Sequence, residues 1–416
     1  MSNITNFAEK APNLPFTEYD FYELYRETFE QSELGRIKRL LPLHELAASC
    51  GLVSGCLQLK RGRRSYFTPE GKVALMFLMM YTQLSFPKLL EQLNGNIHFQ
   101  IFCDVLIDPL RPLTNYKLLD DIAAELAGKM KIQELQEQLA IAWKPWMKDL
   151  DTMYTDATCY ESEMRYPTDQ KLLWEGIEKA YAMMCRMSER LGKILREIRK
   201  MEREHPKEDK LLTVREKNDL AIITKMYRQQ KSHFRSGDAR ESIPDRIVSI
   251  SKPYVRPIVR GKEARNVEFG AKSNNILVDG LSFIEKLSFN AFSEGTRLKH
   301  CISLHKRLFG VDVKKIGGDT GYAGTDNRDH CRANDIQTSF AKRGRPSAEK
   351  KERDFVRAEL ARVRATTMEG SFGTQKEPYD LKRVKARKKA TEILYIFFGI
   401  HTANVVNLAG RQLATG

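Results

Sequence analysis

Three acids in this sequence stand in settings where carboxylates do chemistry. Asp156 lies in Tyr154-Thr155-Asp156-Ala157-Thr158, a short run rich in β-branched residues. Asp319 sits among Gly317, Gly318 and Gly321, where missing side chains let a backbone or a phosphate come close. Glu369 follows in Met368-Glu369-Gly370-Ser371-Phe372-Gly373, with Lys376 seven places later, on the same face if the segment is helical. The chemistry that would use such a set is phosphoryl transfer. Two divalent ions about 3.5–4 Å apart activate an attacking oxygen and stabilise the leaving one. Mg²⁺ prefers hard oxygen ligands and needs only a few protein carboxylates. Cations to hold a polyanion are at hand in Lys376, Lys382, Arg383, Lys385, Arg387, Lys388 and Lys389. Taken singly, each acid also reads as a turn cap, a turn residue or an exposed helix acid. The basic run alone reads equally as a solvated face.

The charge distribution favours the first reading. The 416 residues carry 69 Lys+Arg against 54 Asp+Glu, a formal net charge of +15. Residues 1–150 hold 17 basic and 18 acidic residues, so the whole excess lies beyond them. The window 340–390 alone has 16 basic and 7 acidic residues. That argues against a neutral metabolic enzyme with a small polar substrate and for an anionic partner, nucleic acid or a membrane surface. The longest apolar block, Val73 to Tyr81, is too short to span a bilayer, which takes about 20 residues. The N-terminus lacks a basic start followed by an apolar run. The 7 cysteines are scattered with no C-x-x-C pair, which points to a reduced cytosolic protein without structural zinc. His300, Cys301 and His305 lie close together, but a helix bearing polar residues accounts for them better than a metal site does.

Strands and helices must bring these residues together. Apolar spacing predicts helices over Lys72 to Leu93, after Thr68-Pro69-Glu70, and over Asn115 to Leu139. Asp151 to Cys159 reads as a strand. Residues 167–235 read as a helical hairpin, with Met187, Leu191, Ile194, Ile198 and Met201 at helical spacing and Pro206 interrupting. Strands are expected over Arg246 to Ser251, Tyr254 to Val259 and Val267 to Lys272. Asn274-Asn275 is a hairpin-turn candidate before Ile276 to Val278, and Asp279-Gly280 a second turn before Leu281 to Phe289. A helix from Glu294 to Phe309, a strand from Val311 to Gly317, a charged helix over 347–368 and an apolar run from Glu392 to Ile400 complete the reading. The fold class is α/β with an antiparallel part, preceded by an all-α region.

These segments, in this order, resemble a bacterial insertion-sequence transposase of the DDE type, over nearly the whole chain. Gly71 to Cys103, with Leu89-Leu90-Glu91-Gln92-Leu93 and Asn96 to Phe102, resembles the family's helical N-terminal domain. Tyr154 to Thr158 resembles its first-aspartate strand, and Val267 to Lys272 the strand that follows. Gly318-Asp319-Thr320-Gly321-Tyr322 resembles the second-aspartate motif. Glu369, Phe372-Gly373 and Lys376 resemble the glutamate motif. The resemblance implies a helical domain over 1–149, with a DNA-binding role kept open. It implies a ribonuclease H-like catalytic domain over 150–416 with a helical insertion at about 167–240. Asp156, Asp319 and Glu369 would be catalytic and would bind two Mg²⁺ ions, with Mn²⁺ able to substitute. Partners would be terminal inverted repeats and target DNA, with no membrane. A homodimer would form in the synaptic complex, in the bacterial cytoplasm with the nucleoid. One departure concerns the family's Tyr and Arg seven and four residues before the glutamate. Those positions are Arg362 and Ala365 here, with Arg364 one place off. Two other readings stay open: a catalytically decayed DNA-binding repressor, and a nuclease relative acting on RNA.

Overall fold

The computed structural model describes residues 18–52, 66–198, 212–236, 243–259, 267–341 and 350–415. Met201, Pro206, Cys56 and the far end of the expected insertion lie outside them. The chain begins with helices α1 (Glu18–Gln31), α2 (Glu33–Leu40) and α3 (Leu43–Ser49), followed by α4 (Pro69–Thr82), α5 (Phe86–Gly95) and α6 (Ile97–Phe102). α7 (Lys117–Lys129) and α8 (Ile132–Trp143) complete the helical part. α4 starts as its sequence requires: Thr68 Oγ1 accepts the Gly71 N–H at 2.9 Å and Pro69 fills the first turn.

Two expected helices are each broken in two. The stretch Lys72 to Leu93 bends by 107° between α4 and α5. Gln83 turns left-handed there (φ 54°), and Pro87 is tolerated only because it falls in the first turn of a new helix. The stretch Asn115 to Leu139 breaks at Met130 and Lys131, both extended. Each half buries its own stripe, Leu119, Ile122 and Leu126 in α7 and Leu135, Leu139 and Trp143 in α8.

The remainder alternates strands and helices: β1 (Thr152–Ser162), a hairpin of α9 (Asp169–Ile198) and α10 (Val214–Ser236), β2 (Pro257–Val259), β3 (Val267–Val278) and β4 (Leu281–Ser288). Then come α11 (Leu298–Phe309), β5 (Lys315–Gly318), α12 (Thr325–Ala333), β6 (Gln337–Thr338), α13 (Lys350–Lys376), β7 (Arg383–Val384) and α14 (Lys389–Thr415). The sheet runs β2-β3-β1-β5-β6, with β4 also on β3 and β7 on β1. β3 pairs antiparallel with both β4 and β1, while β5 and β6 continue parallel to β1.

The expected turn at Asn274-Asn275 does not form. Both asparagines lie inside β3, fully buried, at a register shift against β4. Their amides find partners there, Asn274 Nδ2 donating to Glu285 Oε2 at 2.9 Å, so satisfied burial overrides their turn preference. The hairpin turns instead at Asp279-Gly280, with φ of 47° and 74°. Of Arg246 to Ser251 only Ile247 to Ile250 is buried, and the segment is not a strand: the Ile247 N–H goes to Gln229 Oε1 on α10 at 3.1 Å. The strand expected over Tyr254 to Val259 shortens to β2, and that over Val311 to Gly317 shifts to β5.

One apolar core joins the helical part to the sheet. α14 is long and apolar enough to cross a membrane, yet about two-thirds of its apolar window is buried inside the fold. Phe398 meets Phe77 of α4 edge-on at 4.9 Å, and His401 sits among Trp143, Phe283 and Phe397. That burial depresses the His401 imidazole to about 3. The α9–α10 hairpin has a smaller core of its own, around Leu172 and Met226. Arg190, Arg186 and Thr213 close on Glu216 within it and hold that carboxyl well below the usual range.

Candidate active site at the ends of two parallel strands

β1 and β5 run side by side, with Thr155 opposite Gly318 as their last pair. Asp156, midway along β1, and Asp319, just past the end of β5, are the next residues on each strand, so the pairing sets two aspartates side by side where β5 ends. Tight glycine packing makes this approach possible. A Cβ on Gly317 would overlap the Tyr154 ring of β1, and one on Gly318 would press on Phe340 at 3.1 Å. Ser339 further fixes Gly318, accepting its N–H at 2.9 Å and donating to its carbonyl at 2.7 Å.

The Asp319 turn is anchored from below. Asp319 Oδ1 accepts from the Gly321 N–H and from the Thr320 hydroxyl at 3.1 Å, capping a short 3₁₀ turn. Tyr322 points into the core, where its hydroxyl donates to Asn274 Oδ1. Burial pushes that phenol well above its ordinary range. Asn274 in turn donates to Cys301 Sγ at 3.2 Å. The buried asparagine misread as a turn residue therefore ties the second-aspartate loop to β3.

Cys301 and His305 are packing residues of α11. Burial pushes the Cys301 thiol up to about 12 and lowers the His305 imidazole, whose Nε2 lies 2.8 Å from the Leu150 carbonyl oxygen.

Helix α13 covers the face of β1 that bears Asp156. The Leu360 carbonyl lies close to Gly317, and Met368 and Phe372 pack with Leu277 and Tyr154. Tyr160 donates to Gln375 Oε1 at 2.5 Å. Arg364 lies in line with this stripe but is only partly buried. Its Nη2 donates to Asp156 Oδ2 at 2.5 Å, while Asp156 Oδ1 accepts the Ala157 N–H at 2.8 Å. Both carboxylate oxygens are thus engaged. Glu369 lies on the same helix but is exposed, about 140° farther round than Arg364 at 100° per residue. The structure brings Asp156 and Asp319 together and leaves Glu369 outside their immediate shell. Among the described residues no group of three His, Cys, Asp or Glu stands close enough to hold an ion.

The chemistry of the donors still fits a hard divalent cation: carboxylate oxygens on two neighbouring strands, Asp156 within β1 and Asp319 just past β5, since such an ion needs only one or two protein carboxylates. Arg364 sets a positive charge against Asp156, which opposes such an ion while the pair persists. Arg364 is also the residue of this candidate site least visible in the sequence. Its signal was an arginine one place off the family position.

Lys376 ends α13, and the basic run follows as a turn, the short strand β7, a bend and the first residue of α14 rather than as one helix face. Lys382, Arg383, Lys385, Arg387, Lys388 and Lys389 are all exposed. Lys382 pairs with Glu377 at 2.6 Å and Lys385 with Asp380 at 2.7 Å. Lys385, Arg387 and Lys388 line a cleft of about 1310 Å³, shared with Lys117 of the helical part and Lys179 and Arg215 of the α9–α10 hairpin. None of the three candidate acids lines it.

Comparison with known families places both ends of the chain. Residues 316–408 match a transposase DDE domain, which opens on β5 and contains Asp319 and Glu369. Residues 23–119 match a second transposase domain (DUF772), made of the N-terminal helices. Neither match reaches β1, so Asp156 joins the site through strand pairing alone. No curated protein and no solved structure matches.

Proposed function

We propose that this chain, an insertion-sequence DDE transposase by its two transposase domains, cuts the ends of a mobile element and joins them to target DNA. The observation that carries the reading is the β1–β5 pairing, which sets Asp156 beside the Asp319 of the matched domain. Support for a ribonuclease H-like catalytic domain over 150–416 comes from the strand order: three antiparallel strands followed by two parallel ones, with α13 and α11 on opposite faces. The helices of 1–149 form the second domain in this reading, and residues 167–240 an insertion.

Asp156, Asp319 and Glu369 would hold Mg²⁺, with Mn²⁺ substituting. Two such ions supply activation of the attacking oxygen and neutralisation of charge on the scissile phosphate. The protein's own part is to aim the carboxylates. Tyr322 and Asn274 fix the Asp319 turn and the sheet fixes Asp156, while Glu369 would join them only through a shift of α13 from the packing seen here. Lys376 and the exposed cations of 382–389 hold the DNA backbone. Water and then a DNA 3′-hydroxyl are the nucleophiles, so no serine or tyrosine is assigned that role. Joining two element ends calls for two copies of the chain, in the bacterial cytoplasm.

A supercoiled plasmid carrying the element ends tests this directly. With Mg²⁺ the wild-type chain should nick at the ends. Asp156→Asn, Asp319→Asn and Glu369→Gln should each bind the ends and not nick them. Full strand transfer by Asp319→Asn would sink the assignment. End binding without any nicking by the wild type would support the decayed repressor, and preferential cutting of structured RNA the nuclease relative.

A further inference from the structure

The contact between Arg364 and Asp156 does not belong to a cutting site that is ready to work. We propose that Arg364 is a latch: it occupies Asp156 while DNA is absent and transfers to a DNA phosphate when a strand enters, which frees Asp156 for a divalent ion. This inference rests on the role given to Asp156 above.

Four observations lead to it. First, Arg364 Nη2 and the Ala157 N–H each take one lone pair on the two oxygens of Asp156, and the guanidinium sets a positive charge against that carboxylate, so a cation there is repelled while the arginine stays. The backbone N–H is part of β1 and does not move; the arginine is on a separate helix. Second, the pair is not sealed, since the side chains keep 21% and 17% of their exposure. Third, the guanidinium is under-used, for its Nε is buried and has no hydrogen-bond partner in the structure. A planar five-donor group held by one bond has donors left over, and its fork matches phosphate oxygens in pairs. Fourth, Asp319 stands beside Asp156 without an ion pair among the described residues, so the two acids and one arginine leave a net negative site. Once the arginine swings to a phosphate, that charge favours a cation.

The consequence is reciprocal coupling. If DNA removes the arginine from Asp156, DNA tightens ion binding, and the ion tightens DNA binding by the same factor. The idle enzyme would then hold its metal weakly and cut little until an element end is seated. Simple electrostatics also couples DNA to cations, so the test must separate the latch from the general field.

Binding of Mn²⁺ alone to the full chain, read by electron paramagnetic resonance, supplies the measurement, with and without a short DNA duplex. Arg364→Gln without DNA should bind Mn²⁺ at least about tenfold tighter than wild type, within the 5–150-fold range common for coupled sites. DNA should tighten Mn²⁺ binding in wild type by a clearly larger factor than in Arg364→Gln, and Arg364→Lys should fall between them. Equal Mn²⁺ affinities for wild type and Arg364→Gln in both conditions overturn the latch. If neither Arg364→Gln nor wild type loses Mn²⁺ affinity on adding Asp156→Asn, the metal role of Asp156 fails instead, and with it the premise. A thermal melt checks each variant's fold. Should Arg364→Gln not fold, Arg364→Met, which keeps the apolar stem, takes its place, with the same two outcomes deciding.

Discussion

β1 carries two acid–cation sites about 20 Å apart, at its Asp156 and Ser162 positions, taking 3.3 Å per residue. At the far site Glu392 of α14 is fully buried and accepts from Ser162, from Tyr254 at 2.8 Å and from Lys252 at 3.3 Å. Lys252 keeps only 6% of its side-chain exposure. Burial and the neighbouring Glu392 hold the Tyr254 phenol far above its ordinary range. At the near site Asp156 has one arginine, one backbone N–H and a partly open face. The difference separates a clamp from a site. Three partners and complete burial make a group costly to disturb; one exchangeable partner and some water make a group available to a ligand.

Four measurements break or sharpen that contrast. The largest effect belongs to the open site. Asp156→Asn should lower DNA nicking by about a thousandfold or more, the scale for a group acting only in the transition state, as read in the plasmid assay. The next belongs to the clamp. Glu392→Ala leaves Lys252 buried and unpaired and should cost about 3–5 kcal/mol in urea unfolding. Asp156→Ala should cost less than about 1 kcal/mol by the same measurement. Equal costs would erase the comparison.

The third concerns pH. The folded chain holds His401 neutral down to about 3, whereas the unfolded chain takes up a proton below about 6.5. The unfolded state therefore binds more protons in that window, and stability is lost as pH falls from 6.5 towards 3. His401→Phe should flatten the dependence of melting temperature on pH over that range. An unchanged slope would move the acid sensitivity to other groups, His305 first among them.

The smallest effect is expected from the basic segment. Each phosphate contact adds about 0.9 to the slope of log K against log salt for duplex DNA. Arg387→Glu and Lys388→Glu should each flatten that slope. Lys382→Glu and Lys385→Glu should do so less, since Glu377 and Asp380 already neutralise those two lysines. Equal flattening by all four would mean that DNA displaces these local pairs.

Much of the site was legible along the chain. Asp156 announced itself through a β-branched run, Asp319 through its glycines, and the cations through their density after Lys376. These are local signals, set by what each residue type permits its own backbone to do. The misreadings have one cause. Asn274 and Asn275 carry a turn preference, and Arg246 to Ser251 carries a strand preference. Partners elsewhere decided otherwise, Tyr322 and Glu285 for Asn274, Tyr160 and Ser282 for Asn275, and Gln229 for Ile247. The breaks within the two long N-terminal helices likewise follow from which stripe each half buries.

By itself, then, the sequence determined which carboxylates are candidates, the alternation of strands and helices, and the placement of positive charge in the C-terminal half, because composition and short-range spacing specify these. Tertiary structure alone decided that Asp156 and Asp319 are neighbours, that α14 lies in the core, and that α13 turns Arg364 rather than Glu369 towards the first aspartate. Those outcomes depend on strand pairing and helix rotation between segments far apart in the chain, where a side chain's direction is settled by what it packs against.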